Sequence, residues 1–283
     1  MKKYYCLVAG LPEIHIDDNK QNFDLKEFKD ELRANLSEDD FELIKLFYRK
    51  FDNLNLIAYL KDAEAKLDDR GNLAGDDLAG ILQMVKEEEN PKDERIPVYF
   101  KEFIPAWLEE KPLFPDMAWE DQLATLYYDD ALNSRNEFVS SWFAFNLNVQ
   151  NILTAINCRN YDLDLGPAIV GNSEIANTIR ESNSKDFGLA AIFPYLDDVL
   201  HIAEEANLYE RERRIDALRW KWLEENSFFK YFTVEKVFAY LLQLEMIERW
   251  VKLSQETGLK IFRDFVQELQ HSFEFPEEFK LNK

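Results

Sequence analysis

A chain of 283 residues is long enough for two or three helical modules and a substantial buried core, and 8 glycines with 31% charged residues mark it as ordered rather than disordered. Its 34 basic against 55 acidic side chains leave a formal charge of −21, which argues against a nucleic-acid partner and against docking on an anionic lipid surface, since both need clustered Lys and Arg. The same charge suits a basic protein partner, or simply a soluble cytoplasmic protein.

In chain order, the start is read as irregular or extended. Its apolar stretch from Tyr4 to Leu11 is too short for a signal peptide and ends at Pro12-Glu13. Leu25, Phe28, Leu32 and Leu36 then mark one face of a helix over 24–36, and Ser37 followed by Glu38-Asp39-Asp40 caps a longer helix to about Ala65. A turn at 68–75 feeds a short helix over 76–88. Further helices are expected from Tyr99 to Glu110 (broken by Pro105), from Trp119 through Tyr127, over 137–159, 174–181, 192–206 and 208–225, from a Thr233 cap to Gly258, and finally over 259–272. Period-two alternation is weak throughout, so the chain reads as all-α, with modules at 1–97, 98–190 and 191–283. No run of about 18 apolar residues spans a membrane. Cys6 and Cys158 lie far apart and outside any metal-ligand spacing, which fits a reducing compartment with both thiols buried.

A phrase recurs along this series. An aromatic residue is followed five positions on by a polar residue and three further by another: Phe47/Asp52/Asn55, Phe143/Asn148/Asn151 and Tyr240/Glu245/Glu248, with Asp52, Asn148 and Glu245 offset by 96 and then 97 residues. A second landmark shares the first offset. Gly75-Asp76 and Gly171-Asn172 each read as a left-handed glycine followed by an N-cap. The polar positions admit two roles: satisfying backbone groups at a tight helix joint, which is favoured, or lining a surface that grips one partner.

Catalytic chemistry finds little to stand on. There is no phosphate-cradling glycine motif, and the histidines number three: His15, His201 and His271. A di-metal carboxylate site needs two Glu-x-x-His motifs, whereas only Glu268 to His271 fits, and His201 to Glu204 is reversed. The turn at Asp68 to Asn72 lacks the ligand alternation of a calcium loop. No cofactor, metal or catalytic residue is assigned.

The phrase EFVSSWFAFNLNVQNILTAINCRNYDLD, Glu137 to Asp164, resembles the signature of the central-stalk socket protein of the V-type and archaeal-type rotary ATPases, designated C in archaea and bacteria and d in eukaryotes, with Asn148, Asn151 and Arg159 at its marked positions. Phe232 to Gly258 is similar to that family's closing helix, matching at Tyr240, Leu241, Leu242, Glu245 and Arg249, and Glu210 to Trp222 looks like the helix that feeds it. The opening MKKYYCLVAGLPEI resembles a divergent bacterial variant of that family. Two departures stand out: Asn148 where the family usually has Asp, and Trp250 where it has a polar residue. The resemblance implies an all-helical funnel of three pseudo-repeated modules. It further implies a non-catalytic central-stalk part that seats the rotor axle on the membrane ion-carrying ring, at the cytoplasmic face through protein partners and without inserting into the membrane. The alternative is a free-standing helical adaptor or scaffold unrelated to rotary motors.

Overall fold

In a computed structural model the described residues are 2–18, 24–87 and 96–253. Among them eleven helices and no strands form. They are α1 (Tyr5–Ala9), α2 (Leu25–Asn35), α3 (Glu38–Lys61), α4 (Gly75–Lys86), α5 (Phe100–Leu108), α6 (Trp119–Leu132), α7 (Glu137–Asn160), α8 (Glu174–Glu181), α9 (Leu196–Ala203), α10 (Leu208–Ser227) and α11 (Val234–Lys252).

Local chemistry sets most of these boundaries. Asp24 accepts from the Lys26 and Glu27 amides (2.7 and 3.4 Å), and Ser37 from Asp40 (3.4 Å), so α2 and α3 start where side-chain oxygens meet orphan N–H groups. Several expectations change. The start is helical at α1. Gly75 is the first residue of α4 rather than a left-handed joint, and Asp76 is not its cap, because Asp77 reaches back 2.9 Å to the Ala74 amide. Gly171 is left-handed (φ 80°), but the cap of α8 is Ser173, one residue beyond Asn172. Nor does the Thr233 hydroxyl cap α11; it donates to the Lys230 carbonyl (3.1 Å). Pro105 is accommodated inside α5, which ends three residues later. The helix expected over 259–272, Gly258 and His271 lie outside the described residues.

α3 and α7 are 24 residues each and carry buried side chains on more than one face, because both are packed on several sides. α3 touches α4, α6 and α11; α7 touches α6, α8, α9 and α10; α11 touches α2, α3 and α10. Tracing these contacts closes a ring, α3 to α6 to α7 to α10 to α11 and back to α3. α2, α4, α8 and α9 pack against its members, and α5 against α4. Phe28 of α2 is fully buried, worth about 1.5–3 kcal/mol in area removed from water, and meets Tyr240 of α11 edge-on (5.6 Å between ring centroids).

Candidate functional site

Two kinds of polar site emerge, and they divide the residues marked in the sequence. The first is structural. The Asn55 amide clamps one loop residue, donating to the Asp68 carbonyl (2.9 Å) and accepting from the Asp68 amide (2.7 Å). Asn151 does the same to Val170, at 2.8 and 3.0 Å, in a fully buried setting. Each amide thereby satisfies both backbone groups of a residue where no helix or strand can. Asp52 accepts from the Asn72 and Leu73 amides (2.6 and 2.9 Å) and from the Asn72 side chain (2.6 Å), while burial raises its carboxyl above the usual range against those hydrogen bonds. A Cβ at Gly71 would stand 2.8 Å from both the Asn55 amide nitrogen and an Asp52 oxygen, so the loop comes this close only as glycine.

Asn148 breaks the parallel: it is half-buried on α7 and clamps no loop residue among those described. Arg159 instead holds the loop beyond α7. It donates to the Ser184 and Ser182 carbonyls (2.5 and 2.8 Å) and lies 3.6 Å over the ring of Phe187, itself left-handed at φ 56°. Tyr240 is buried; with burial first and Asp18 second, its phenol is pushed up to about 12. Its hydroxyl has no partner among the described residues.

The second site is the space inside the ring, a cavity of about 610 Å³. All five ring helices line it: α3 with Phe47, Lys50 and Phe51, α6 with Tyr127 and Tyr128, α7 with Phe143 and Asn146, α10 with Asp216 and Arg219, and α11 with Glu245, Glu248 and Arg249. Its aromatic wall is continuous, Phe143 lying edge-on to Tyr127 and Tyr128 (5.7 and 6.3 Å). Five cations (Lys50, Arg70, Arg219, Arg249, Lys252) face four carboxylates (Glu120, Asp216, Glu245, Glu248). In a chain with a 21-charge acidic excess, the lining is therefore locally cationic by one.

The pairing within this set is uneven. Asp216, buried, is a hub: Arg219 donates to one oxygen at 3.0 Å, while the Trp250 indole (2.9 Å) and Arg249 share the other. Arg219 also reaches Asn146 (2.9 Å), so the hub ties α10 to both α7 and α11. Arg70 chelates Asp68 (2.6 Å at its closest), Lys252 meets Glu248 (3.0 Å), and Glu120 is taken by Lys61 (2.6 Å). Tyr48 donates to Glu245 across α3 and α11; burial, then the charge of Glu245, drive its phenol far above the ordinary value.

That leaves Lys50. Its ammonium lies 3.9 and 4.9 Å from the centroids of Phe47 and Phe51, with no carboxylate within ion-pair distance among the described residues. Burial lowers its pKa to about 8, the pull of Glu245 being opposed by Arg219, Arg70 and Arg249. It is half-buried, with two aromatic faces in place of an ion pair.

Sequence reasoning marked Phe47, Phe143, Glu245, Glu248 and Arg249, all of which reach this space or its hub, and missed Lys50, Asp216, Arg219 and Arg70. A signal existed for Lys50: it stands between Phe47 and Phe51 in LFYRKFDNL, with an aromatic ring three residues before it and another directly after. The remaining sequence features resolve into ordinary structure. His201 bonds its own helix at the Asp197 carbonyl (2.8 Å), and Asp68 and Asn72 are occupied by Arg70 and Asp52. Among the described residues no group of three His, Cys, Asp or Glu is placed to hold a metal ion, and no helix is long and apolar enough to cross a membrane. Cys158 is buried, as expected, with its thiol pushed up by burial and then by Asp164; Cys6 is exposed, contrary to expectation.

A family model described as "Protein of unknown function (DUF2764)" matches residues 1–273. The chain belongs to that family. No curated protein and no solved structure matches it. The match covers every residue that forms the ring and its cavity, so the architecture described above is that of this family's domain.

Proposed function

We propose that this chain is a non-catalytic central-stalk subunit of a V-type or archaeal-type rotary ATPase, and that the cavity within its helix ring seats the foot of the rotor axle above the membrane ion-carrying ring. The observation that carries the reading is the closed five-helix ring around an open space, with α3, α6–α7 and α10–α11 drawn from the three successive segments of the chain. The resemblance of 137–164 and 232–258 to the rotary-ATPase socket protein falls on α7 and α11, two of the ring's walls.

Size and stiffness support it. One turn of an α-helix, about 10–12 Å across and 5.4 Å long, sweeps roughly 420–610 Å³, so the space accepts about one turn of an inserted helix end. A coupler must transmit torque without shearing, and the Asp216 hub locks three of the five walls together by charge-assisted bonds. The lining also favours one kind of visitor. Apolar and aromatic walls with one unpaired lysine suit an apolar helix end that carries a carboxylate, which would give Lys50 the partner it lacks. Outside the cavity, the acidic surface steers a basic partner toward the mouth in a salt-sensitive way.

Isolating the tagged protein from its own cells under mild detergent and identifying its companions tests the assignment. Rotary-ATPase axle and ring subunits are expected in stoichiometric amount. Recovery of the chain alone, or with an unrelated set of proteins, would replace the coupling role with that of a separate adaptor.

A further inference from the structure

The connector from α5 to α6 builds a second hollow, separate from the ring cavity. Its volume is about 450 Å³, and Trp107, Glu110, Asp116, Met117, Trp119 and Gln122 are among its lining, none of them shared with the ring cavity. The two indoles meet at a corner, their centroids 5.1 Å and their planes 58° apart, with Phe103 edge-on to Trp119 (5.8 Å). Both indoles stay partly exposed, and Glu110 and Asp116 are exposed at the rim.

The connector is pinned from beneath. Buried Gln122 accepts from the Leu113 and Phe114 amides (2.8 and 3.2 Å) and donates to the Met117 carbonyl (2.8 Å), while the Met117 sulfur accepts from the Thr125 hydroxyl (3.7 Å). At the end of α5 the Glu110 amide donates to the Trp107 carbonyl (3.1 Å) and the Lys111 amide to the Ala106 carbonyl (2.9 Å), a closure whose left-handed position usually goes to glycine. Here Glu110 holds it (φ 53°), and Asp116 is left-handed as well (φ 65°). Charge around the hollow is acidic and incompletely paired. From residue 109 to 121 stand Glu109, Glu110, Asp116, Glu120 and Asp121 against Lys111 alone. Lys111 pairs with Glu109 (2.8 Å) and Lys61 with Glu120 (2.6 Å), so Glu110 and Asp116 keep their charge without an ion pair among the described residues. Nor does any Lys or Arg among those residues stand over either indole.

We propose that this hollow binds an organic ammonium, its carbon-bearing head against the indoles of Trp107 and Trp119 and its charge met by Glu110 and Asp116 at the rim. Tryptophan is the aromatic ring that holds a cation best, and the two carboxylates supply the full charge that a ring quadrupole lacks. A bare metal ion fits poorly. Calcium takes about six to eight oxygens, and among the described residues no three His, Cys, Asp or Glu are placed to share one ion. An anion would meet two carboxylates of its own sign. The helix ends do not reverse this: α5 brings its negative C-terminal end to the hollow, and Glu120 and Asp121 in the first turn of α6 offset that helix's positive one. The proposal does not depend on the coupling role.

The test is calorimetric titration of the purified full chain with choline, with N-acetyl-lysine amide and with the uncharged tert-butyl analogue of choline, at low and high salt. Saturable binding of an ammonium is expected, about tenfold or more tighter than the uncharged analogue and weaker in high salt. The tighter of the two ammonium probes tells whether a free quaternary amine or a lysine side chain is the natural source. Trp107→Leu and, separately, Glu110→Gln/Asp116→Asn should each weaken binding about fivefold or more. The second variant changes only exposed side chains and should keep the wild-type melting temperature, so its loss of binding cannot come from misfolding. Absence of saturable binding by either ammonium overturns the proposal. So does an uncharged analogue that binds as tightly, or a Glu110→Gln/Asp116→Asn chain that binds like wild type at low salt.

Discussion

The loop clamps and the central cavity are both polar sites in a largely apolar interior, yet they differ in what is left unpaired. At the clamps every bond has its complement: Asn151 faces one N–H and one C=O, and Asp52 faces three donors. In the cavity the bonds are as numerous but leave Lys50 over. A satisfied buried group stabilises the fold and requires nothing further; an unsatisfied one costs stability until something else arrives. The difference separates residues that make the shape from one the fold holds without an ion-pair partner.

Removing a hub should hurt the fold most. Asp216→Ala strands two arginines and an indole, and is expected to cost about 3 kcal/mol by denaturant titration, below the ceiling for fully buried pairs because the Arg249 side chain is 39% exposed. Asn151→Ala should cost about 2–3 kcal/mol by leaving both buried Val170 groups unpaired. Asn55→Ala, at a part-buried clamp, should cost about 1–2 kcal/mol. Asn148→Ala, three residues before Asn151, should fall within about 0.5 kcal/mol of wild type. A cost at Asn148 equal to that at Asn151 would erase the distinction between clamp and bystander.

Lys50 should behave in the opposite sense. Lys50→Met removes a charge that the fold houses at a cost, so stability is expected to hold or rise at pH 7. The pH dependence follows from the lowered pKa. Between about 8 and the unfolded value near 10.4 the unfolded chain binds more protons than the folded one, so stability attributable to this group rises with pH across that window. That rise should vanish in Lys50→Met; an identical profile in both proteins would place its origin elsewhere.

How much was legible beforehand depends on how local each fact is. The helices over 24–36 and 137–159 were readable because Asp24 and the apolar spacing act within a few residues. The shared role of Asn55 and Asn151 showed through as a spacing of 96, although their loop partners lie 13 and 19 residues on. The Gly75 expectation failed because Asp77, two residues on, takes the Ala74 amide and removed the need for a left-handed turn. The ring, the Asp216 hub and the isolation of Lys50 depend on which of five helices come together, and no window along the chain contains that. The docking of residues 2–5 on 228–232 was invisible for a similar reason, since the bonded positions lie 228 residues apart.

Titrating the purified axle subunits of the same organism's rotary ATPase into wild type and Lys50→Met at pH 7, and into wild type again at pH 9, tests the proposed receptor role of the cavity most directly. Tight binding by wild type that falls tenfold or more on losing Lys50, and weakens as the free ammonium titrates above about 8, is the predicted result. Equal affinity of both proteins at both pH values would show that no carboxylate meets Lys50, and an axle that binds neither would remove the coupling role itself.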